Sequence, residues 1–154
     1  MNNMPQDAQN RQQEYLRIST SLQQLEEQAG KIQDQLGMIY ESIENYKVAK
    51  KTIENIKDLE EGDQILVPIG NIVLAKARVI DPQNFIVNVG ADISMVKDAQ
   101  GTLDYLDIQI ETLENSKNQT EKNFEQLIRE MQTLEQRKNQ IARELSSKMA
   151  PQKK

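Results

Sequence analysis

The placement of chain breakers constrains this sequence more than any other feature. Its four prolines are Pro5, Pro68, Pro82 and Pro151, so none falls between residues 6 and 67 or between 83 and 150. Four of the six glycines, Gly62, Gly70, Gly90 and Gly101, lie in or near the middle third. Two long proline-free stretches therefore flank a short, broken centre. In the first stretch Tyr15, Ile18, Leu22, Leu25, Ala29, Ile32, Leu36, Ile39, Ile43 and Tyr46 succeed one another in alternating steps of three and four. A helix with that spacing must wind against a partner to bury its stripe. The seam resumes at Ala49, Ile53 and Ile56 after one additional three-residue step, which overwinds a coil locally. Gly62 follows the last apolar position, Leu59, and suits a helix end that needs a left-handed residue.

The last segment repeats the pattern. Val96, Ala99, Leu103, Leu106, Ile110, Leu113, Lys117, Thr120, Phe124, Leu127, Met131, Leu134, Lys138, Ile141 and Leu145 again alternate three and four. Lys117, Thr120 and Lys138 interrupt it with polar groups. Polar seam residues set register at some expense of stability, or else lay a long stem along the seam with the charge in water. Each helix should reach about 80 Å at 1.5 Å per residue. Equal lengths joined by a short segment imply that the two fold back antiparallel.

The centre changes period. Ile65, Val67 and Ile69 alternate with Gln64, Leu66 and Pro68, and Gly70-Asn71 reads as a two-residue hairpin turn. Val73, Ala75, Ala77 and Val79 form one face of the next strand, against Ile72, Leu74, Lys76, Arg78 and Ile80. Asp81-Pro82-Gln83-Asn84 is a turn by its chemistry. Phe85, Val87 and Val89 open a second hairpin that turns at Gly90-Ala91-Asp92 and closes with Ile93 to Lys97. The expected fold class is mainly α: a long antiparallel coiled coil with two inserted β-hairpins. Its parts are a helix over 7–61, a double hairpin over 63–97, a helix over 98–149, and flexible tails at 1–6 and 150–154.

Composition narrows function. The chain has no Cys and no His, so nucleophile–histidine pairs, the usual zinc sites and disulfides are excluded. The glycines are scattered and none opens a phosphate loop. Carboxylate pairs such as Glu26-Glu27 and Glu60-Glu61 belong to solvated helix surface. No catalytic residue, metal or cofactor is expected. A formal charge of −5 disfavours nucleic acid as a partner. The apolar run Ile65–Ile69 is too short for a membrane, and residues 1–14 hold no apolar stretch of the kind a secretory signal needs. The expected location is cytoplasmic. Only 37% of residues are apolar, which suits two thin seams better than one globular core.

Isolated two-stranded hairpins are marginal in water, and here both faces are largely apolar. They imply either a closed ring or barrel shared among subunits, or a small local sheet resting on the coil. At this point the residues resemble a known family. A helix, a hairpin opened by Leu66-Val67-Pro68-Ile69-Gly70, a second containing Val87-Asn88-Val89-Gly90, and a second long helix are similar to the α-class subunits of prefoldin, more the archaeal kind than the eukaryotic. The likeness runs through essentially the whole chain. It implies a hexamer of two α and four β-class subunits whose hairpins form a double β-barrel carrying six coiled-coil arms. It further implies an ATP-independent holdase that captures unfolded polypeptides and passes them to a group II chaperonin.

Residue roles follow as expectations. Ile65, Leu66, Val67, Ile69, Leu74, Val79, Phe85, Val87 and Val89 would be buried only when subunits meet. Client contacts are expected at the free ends of the arms, where Tyr15, Leu16 and Ile18 should lie near Ile141, Leu145 and Met149. Residues 137–154 hold six cations against a single anion, Glu144. Arg143, Lys148, Lys153 and Lys154 are thus candidates for chaperonin contact by electrostatic steering, although cations at a helix C-terminus are also favourable without any partner. The competing class is a static coiled-coil tether or dimerisation scaffold. It accounts for the arms and leaves the hairpins unexplained.

Overall fold

The computed structural model describes residues 6–149. Helix α1 spans Gln6–Ile56, and strands β1 (Gln64–Ile69), β2 (Val73–Arg78), β3 (Asn84–Gly90) and β4 (Ile93–Asp98) follow. Helix α2 spans Ala99–Met149. The described residues divide into two compact units, one of residues 6–38 and 117–149 and one of residues 39–116.

In the first unit the two helices run antiparallel, as the pairing of Arg11 with Glu144 and of Glu14 with Arg137 requires. Ile18, Leu22 and Ile141 form its buried cluster, with Tyr15, Met131, Leu134 and Leu145 packed around them. Hydroxyl residues inside the helices bond the carbonyl one turn back, as Ser19 does to Tyr15 and Ser146 to Ala142, so their polarity is absorbed locally. The polar seam residue Thr120 is buried, and the Lys138 ammonium lies 5.8 Å from the centre of the Tyr15 ring. That lysine lays its stem along the seam and ends on an aromatic face.

In the second unit, α1 and α2 bury Ile39, Ile43, Ala99, Leu103 and Leu106. Two cross-helix ion pairs flank them, Lys47–Glu114 at 3.0 Å and Lys50–Asp107 at 2.6 Å. Helix α1 ends at Ile56, short of the expected residue 61, and a turn occupies the intervening residues. Gly62 is left-handed (φ 90°), as the sequence suggested, but it serves the hairpin and not the helix end. Its N–H donates to the Val79 carbonyl at 2.7 Å, while the Val79 N–H donates to Asp63 at 2.9 Å. Helix α2 starts at a cap built by Asp98, whose carboxylate accepts the Gly101 N–H at 2.7 Å. A Cβ at Gly101 would stand 2.7 Å from that same oxygen, which explains a glycine in the first turn of a long helix.

Each hairpin is its own two-stranded antiparallel sheet, β1 with β2 and β3 with β4. The first turns through three residues, Gly70, Asn71 and Ile72, because Ile69 pairs with Val73. The expected two-residue turn and the placing of Ile72 in the strand are therefore corrected. The second turns through Ala91 and Asp92, both with positive φ (49° and 59°), the backbone of a tight turn whose twist matches its strands. A register shift between Asn88 and Gly90 leaves Val89 as an extra residue. Val96 belongs to β4 and is exposed, so it is not the first residue of the second seam.

Candidate assembly and capture surfaces

The hairpins present apolar surface that the chain leaves uncovered. In β1–β2, alternation places Ile65, Val67 and Ile69 on one face opposite Ala77, Ala75 and Val73. Burial on that face declines toward the turn, where Ile69 and Val73 are both exposed. The other face carries Leu66 (61% exposed) and Leu74 (60%), with Pro68 between Leu66 and the turn. In β3–β4, Phe85, Val87 and Val89 are half-buried, and Ile86 (79% exposed) stands opposite Val96 (70%) on the outer face. A cleft of about 540 Å³ lies between the inner face of this hairpin and the helices, lined by Tyr46, Ala49, Ile53, Phe85, Val87, Tyr105 and Leu106 among others. The Lys97 ammonium sits 5.9 Å from the centre of the Tyr105 ring at the same hairpin.

One residue expected on the assembly surface is not there. Val79 is 7% exposed and therefore buried within the chain itself. It lies one residue beyond β2, where the two hydrogen bonds to Gly62 and Asp63 draw its backbone inward. Conversely Ile72, Ile80, Ile86, Ile93 and Val96 are exposed apolar residues outside the set expected to meet other subunits. The signal for Ile86 and Val96 was present: alternation puts each on the face opposite Phe85 and Lys97.

At the free end of the first unit the structure brings Tyr15, Ile18, Ile141 and Leu145 together. Ile141 is completely buried and Ile18 nearly so, which makes them interior groups in this conformation. Leu16 stands outside the cluster and is exposed. Arg143 is exposed at the same end. The side chains of Lys148 and Met149, and Lys153 and Lys154 entirely, lie outside the described residues.

Polar groups from both helices pair at the same end. Arg137 donates through Nε and Nη2 to Oε1 of Glu14 at 2.9 and 2.8 Å. Arg11 pairs with Glu14 at 3.6 Å and with Glu144 at 3.3 Å. Gln140 donates to Glu144 at 3.0 Å and accepts from Arg137 at 3.4 Å. Five side chains from both helices thus form a closed circuit. Nothing in the heptad count announces it, since a seam fixes which face is inward but not which residues of two distant segments meet.

No group of three or more metal-ligating side chains converges among the described residues. No helix among them is long and apolar enough to cross a membrane.

Comparisons with known proteins agree with this architecture. The family model described as Prefoldin subunit matches residues 25–144. The prefoldin subunit alpha of Methanospirillum hungatei is 33% identical over 135 residues, covering 77% of this chain and 89% of that protein. The prefoldin subunit alpha of Methanosarcina acetivorans is 31% identical over 116 residues, covering 73% and 82%. Among solved structures, the cryo-EM structure of filamentous PFD from Methanocaldococcus jannaschii superposes with a TM-score of 0.64 at 22% identity, covering 75% of this chain and 96% of that one.

Proposed function

The chain belongs to the prefoldin family of chaperone subunits, and from that premise we propose that it is an α-class subunit of an ATP-independent holdase. In this reading two copies join four β-class subunits, and the hairpins complete a shared β-barrel. The coiled-coil arms then hold unfolded polypeptides and deliver them to a group II chaperonin.

The observation that carries the reading is the contrast within the hairpins. Each is a two-stranded sheet with an outward apolar face, Leu66 and Leu74 in one and Ile86 with Val96 in the other. Strand pairs of this size are not stable alone, and their edges and apolar faces call for further strands. A tether requires only the coil. A barrel subunit requires these faces, and in this reading neighbours cover the exposed Leu66, Val67, Ile69 and Leu74 and complete the cover of Ile65, Phe85, Val87 and Val89, which their own chain already half-buries. Val79 drops out of the set because its own chain buries it.

Client capture is assigned to the arm ends: Leu16 as a standing apolar contact, and Tyr15, Ile18, Ile141 and Leu145 as groups that become available when the ends part. Met149 is retained as part of that surface. Several arms acting together provide avidity without a shaped pocket. Arg143, Lys148, Lys153 and Lys154 are proposed to steer the arms toward an acidic chaperonin surface.

Co-expression with β-class prefoldin subunits followed by native mass measurement tests the reading. The expected species contains two copies of this chain and four β-class subunits, and it suppresses aggregation of a chemically unfolded enzyme without ATP. A stable two-chain rod that ignores β-class subunits would instead identify a tether. Replacing Leu16 with Ser should weaken suppression while leaving the mass unchanged.

A further inference from the structure

We propose that Arg11, Glu14, Arg137, Gln140 and Glu144 form an autoinhibitory latch that holds the arm end closed over its apolar cluster. The proposal rests on the reading of the arm ends as the capture surface.

The circuit joins the two helices twice, through Arg137–Glu14 and Arg11–Glu144. It does so beside Ile141, which is fully buried, and Ile18, which is nearly so, with Tyr15 and Leu145 packed against them. The groups available for an unfolded client are therefore mostly hidden while the circuit is intact. The four charged side chains are themselves only 32–39% exposed, so they are screened less than fully solvated pairs. The Arg137 guanidinium also grips one carboxylate oxygen with two N–H groups, a geometry that a lysine cannot reproduce. Lys138, resting on the Tyr15 ring, adds a cation to the same closed arrangement.

A latch made of charge differs from one made of apolar contacts in its response to salt. Added salt weakens the ion pairs and leaves the seam's apolar contacts in place or strengthens them. Opening of the arm end should therefore rise with ionic strength. A purely apolar end would do the opposite.

The chain has no Cys, so probes can be placed cleanly on the full-length protein. Spin labels at Gln13→Cys and Asn139→Cys, both exposed positions, report the separation of the two helices at that end. The paired substitution Glu14→Gln with Glu144→Gln should broaden and lengthen the distance distribution at low salt and abolish its salt response. The same variant should bind chemically unfolded citrate synthase about threefold more tightly, a modest change in keeping with partly exposed ion pairs. Glu27→Gln removes an ion pair confined to α1 and should alter neither quantity. A distribution unmoved by salt and by the paired substitution overturns the latch, as does an equal widening in Glu27→Gln. Widening without tighter client binding upholds the latch and instead overturns the assignment of capture to the arm ends.

Discussion

The helices and the hairpins of this chain carry comparable apolar side chains and dispose of them in opposite ways. Along α1 every residue of the stripe from Tyr15 to Tyr46 is turned inward, buried or half-buried, and along α2 the same holds from Ala99 to Leu145. A stripe of this kind covers one face of a helix, and a single partner helix from the same chain is enough to close it. A two-stranded sheet has two faces, and the helices beside it can cover only one. Phe85 and Val87 face inward, so Ile86 must face out. The lesson is geometric: inserting two hairpins between helices that satisfy each other creates a chain that is saturated along its helices and unsaturated at its hairpins.

Substitutions on the two sides of this divide test it most strongly. Ile141→Ala removes a fully buried side chain from a thin seam. It should lower the stability of the coil by about 2–4 kcal/mol, the range for large-to-small changes in cores. Urea denaturation followed by helix signal measures it. Ile86→Ala, at a residue 79% exposed, should change the stability of the isolated chain by less than about 0.5 kcal/mol. It should nevertheless weaken incorporation into an assembly, read as loss of the heteromeric mass. Equal effects of the two substitutions on the isolated chain would erase the comparison.

Val79 sharpens the boundary between the regions. It sits by the hairpins yet behaves as a core residue, held by its hydrogen bonds to Gly62 and Asp63. Val79→Ala should destabilise the isolated chain by about 1–2 kcal/mol, and any loss of assembly should follow that loss of stability. If instead the chain is as stable as before and assembly alone fails, Val79 belongs to the outward surface after all.

Much of this divide was legible in the sequence, and the exceptions have physical causes. The heptad positions were readable because a helix fixes its inward face by spacing alone. Val96 was ambiguous because a residue three before Ala99 satisfies the helix period and also alternates correctly in β4. The end of α1 was placed too late, since Leu59 continues the apolar pattern through a turn that a hydrogen bond from its N–H to Ile56 shapes. Gly62 was recognised as left-handed but attached to the wrong element. Val79 was misassigned because strand alternation continues through it, while the backbone bonds that bury it join residues sixteen or more apart. The arm-end circuit was invisible for the same reason: Glu14 and Arg137 are 123 residues apart.

Turns offer a smaller test, because they are strained in one hairpin only by residue choice. Ala91 and Asp92 both adopt positive φ, where alanine is disfavoured, aspartate and asparagine are tolerated and glycine is at ease. The paired substitution Ala91→Asn with Asp92→Gly should stabilise the hairpin by about 1 kcal/mol. Thermal melting of the isolated chain detects it. No gain would mean that the β3–β4 hairpin is set by its contacts with the helices rather than by its own turn.

The smallest effect is expected where the two hairpins are joined. The Asp81 carboxylate accepts from the Asn84 side chain at 2.9 Å and from the backbone N–H groups of Gln83 at 2.9 Å and Asn84 at 3.1 Å. The Asn84 side-chain bond, followed by the Gln83 N–H, holds its pKa below the ordinary aspartate value. A depressed pKa means that the folded state binds the proton less readily than the unfolded one. The resulting contribution is complete above about pH 4, near the value of a free aspartate, and is lost as pH falls through the lower folded value. Protection of the Gln83 and Asn84 amides from hydrogen exchange should therefore decline in that acid window, after correction for intrinsic exchange. Asp81→Asn keeps an acceptor oxygen but cannot titrate, so it should flatten the decline at these two amides. A decline that persists in that variant would place its origin in the hairpin contacts, and would make the junction as dependent on its surroundings as the sheets it connects.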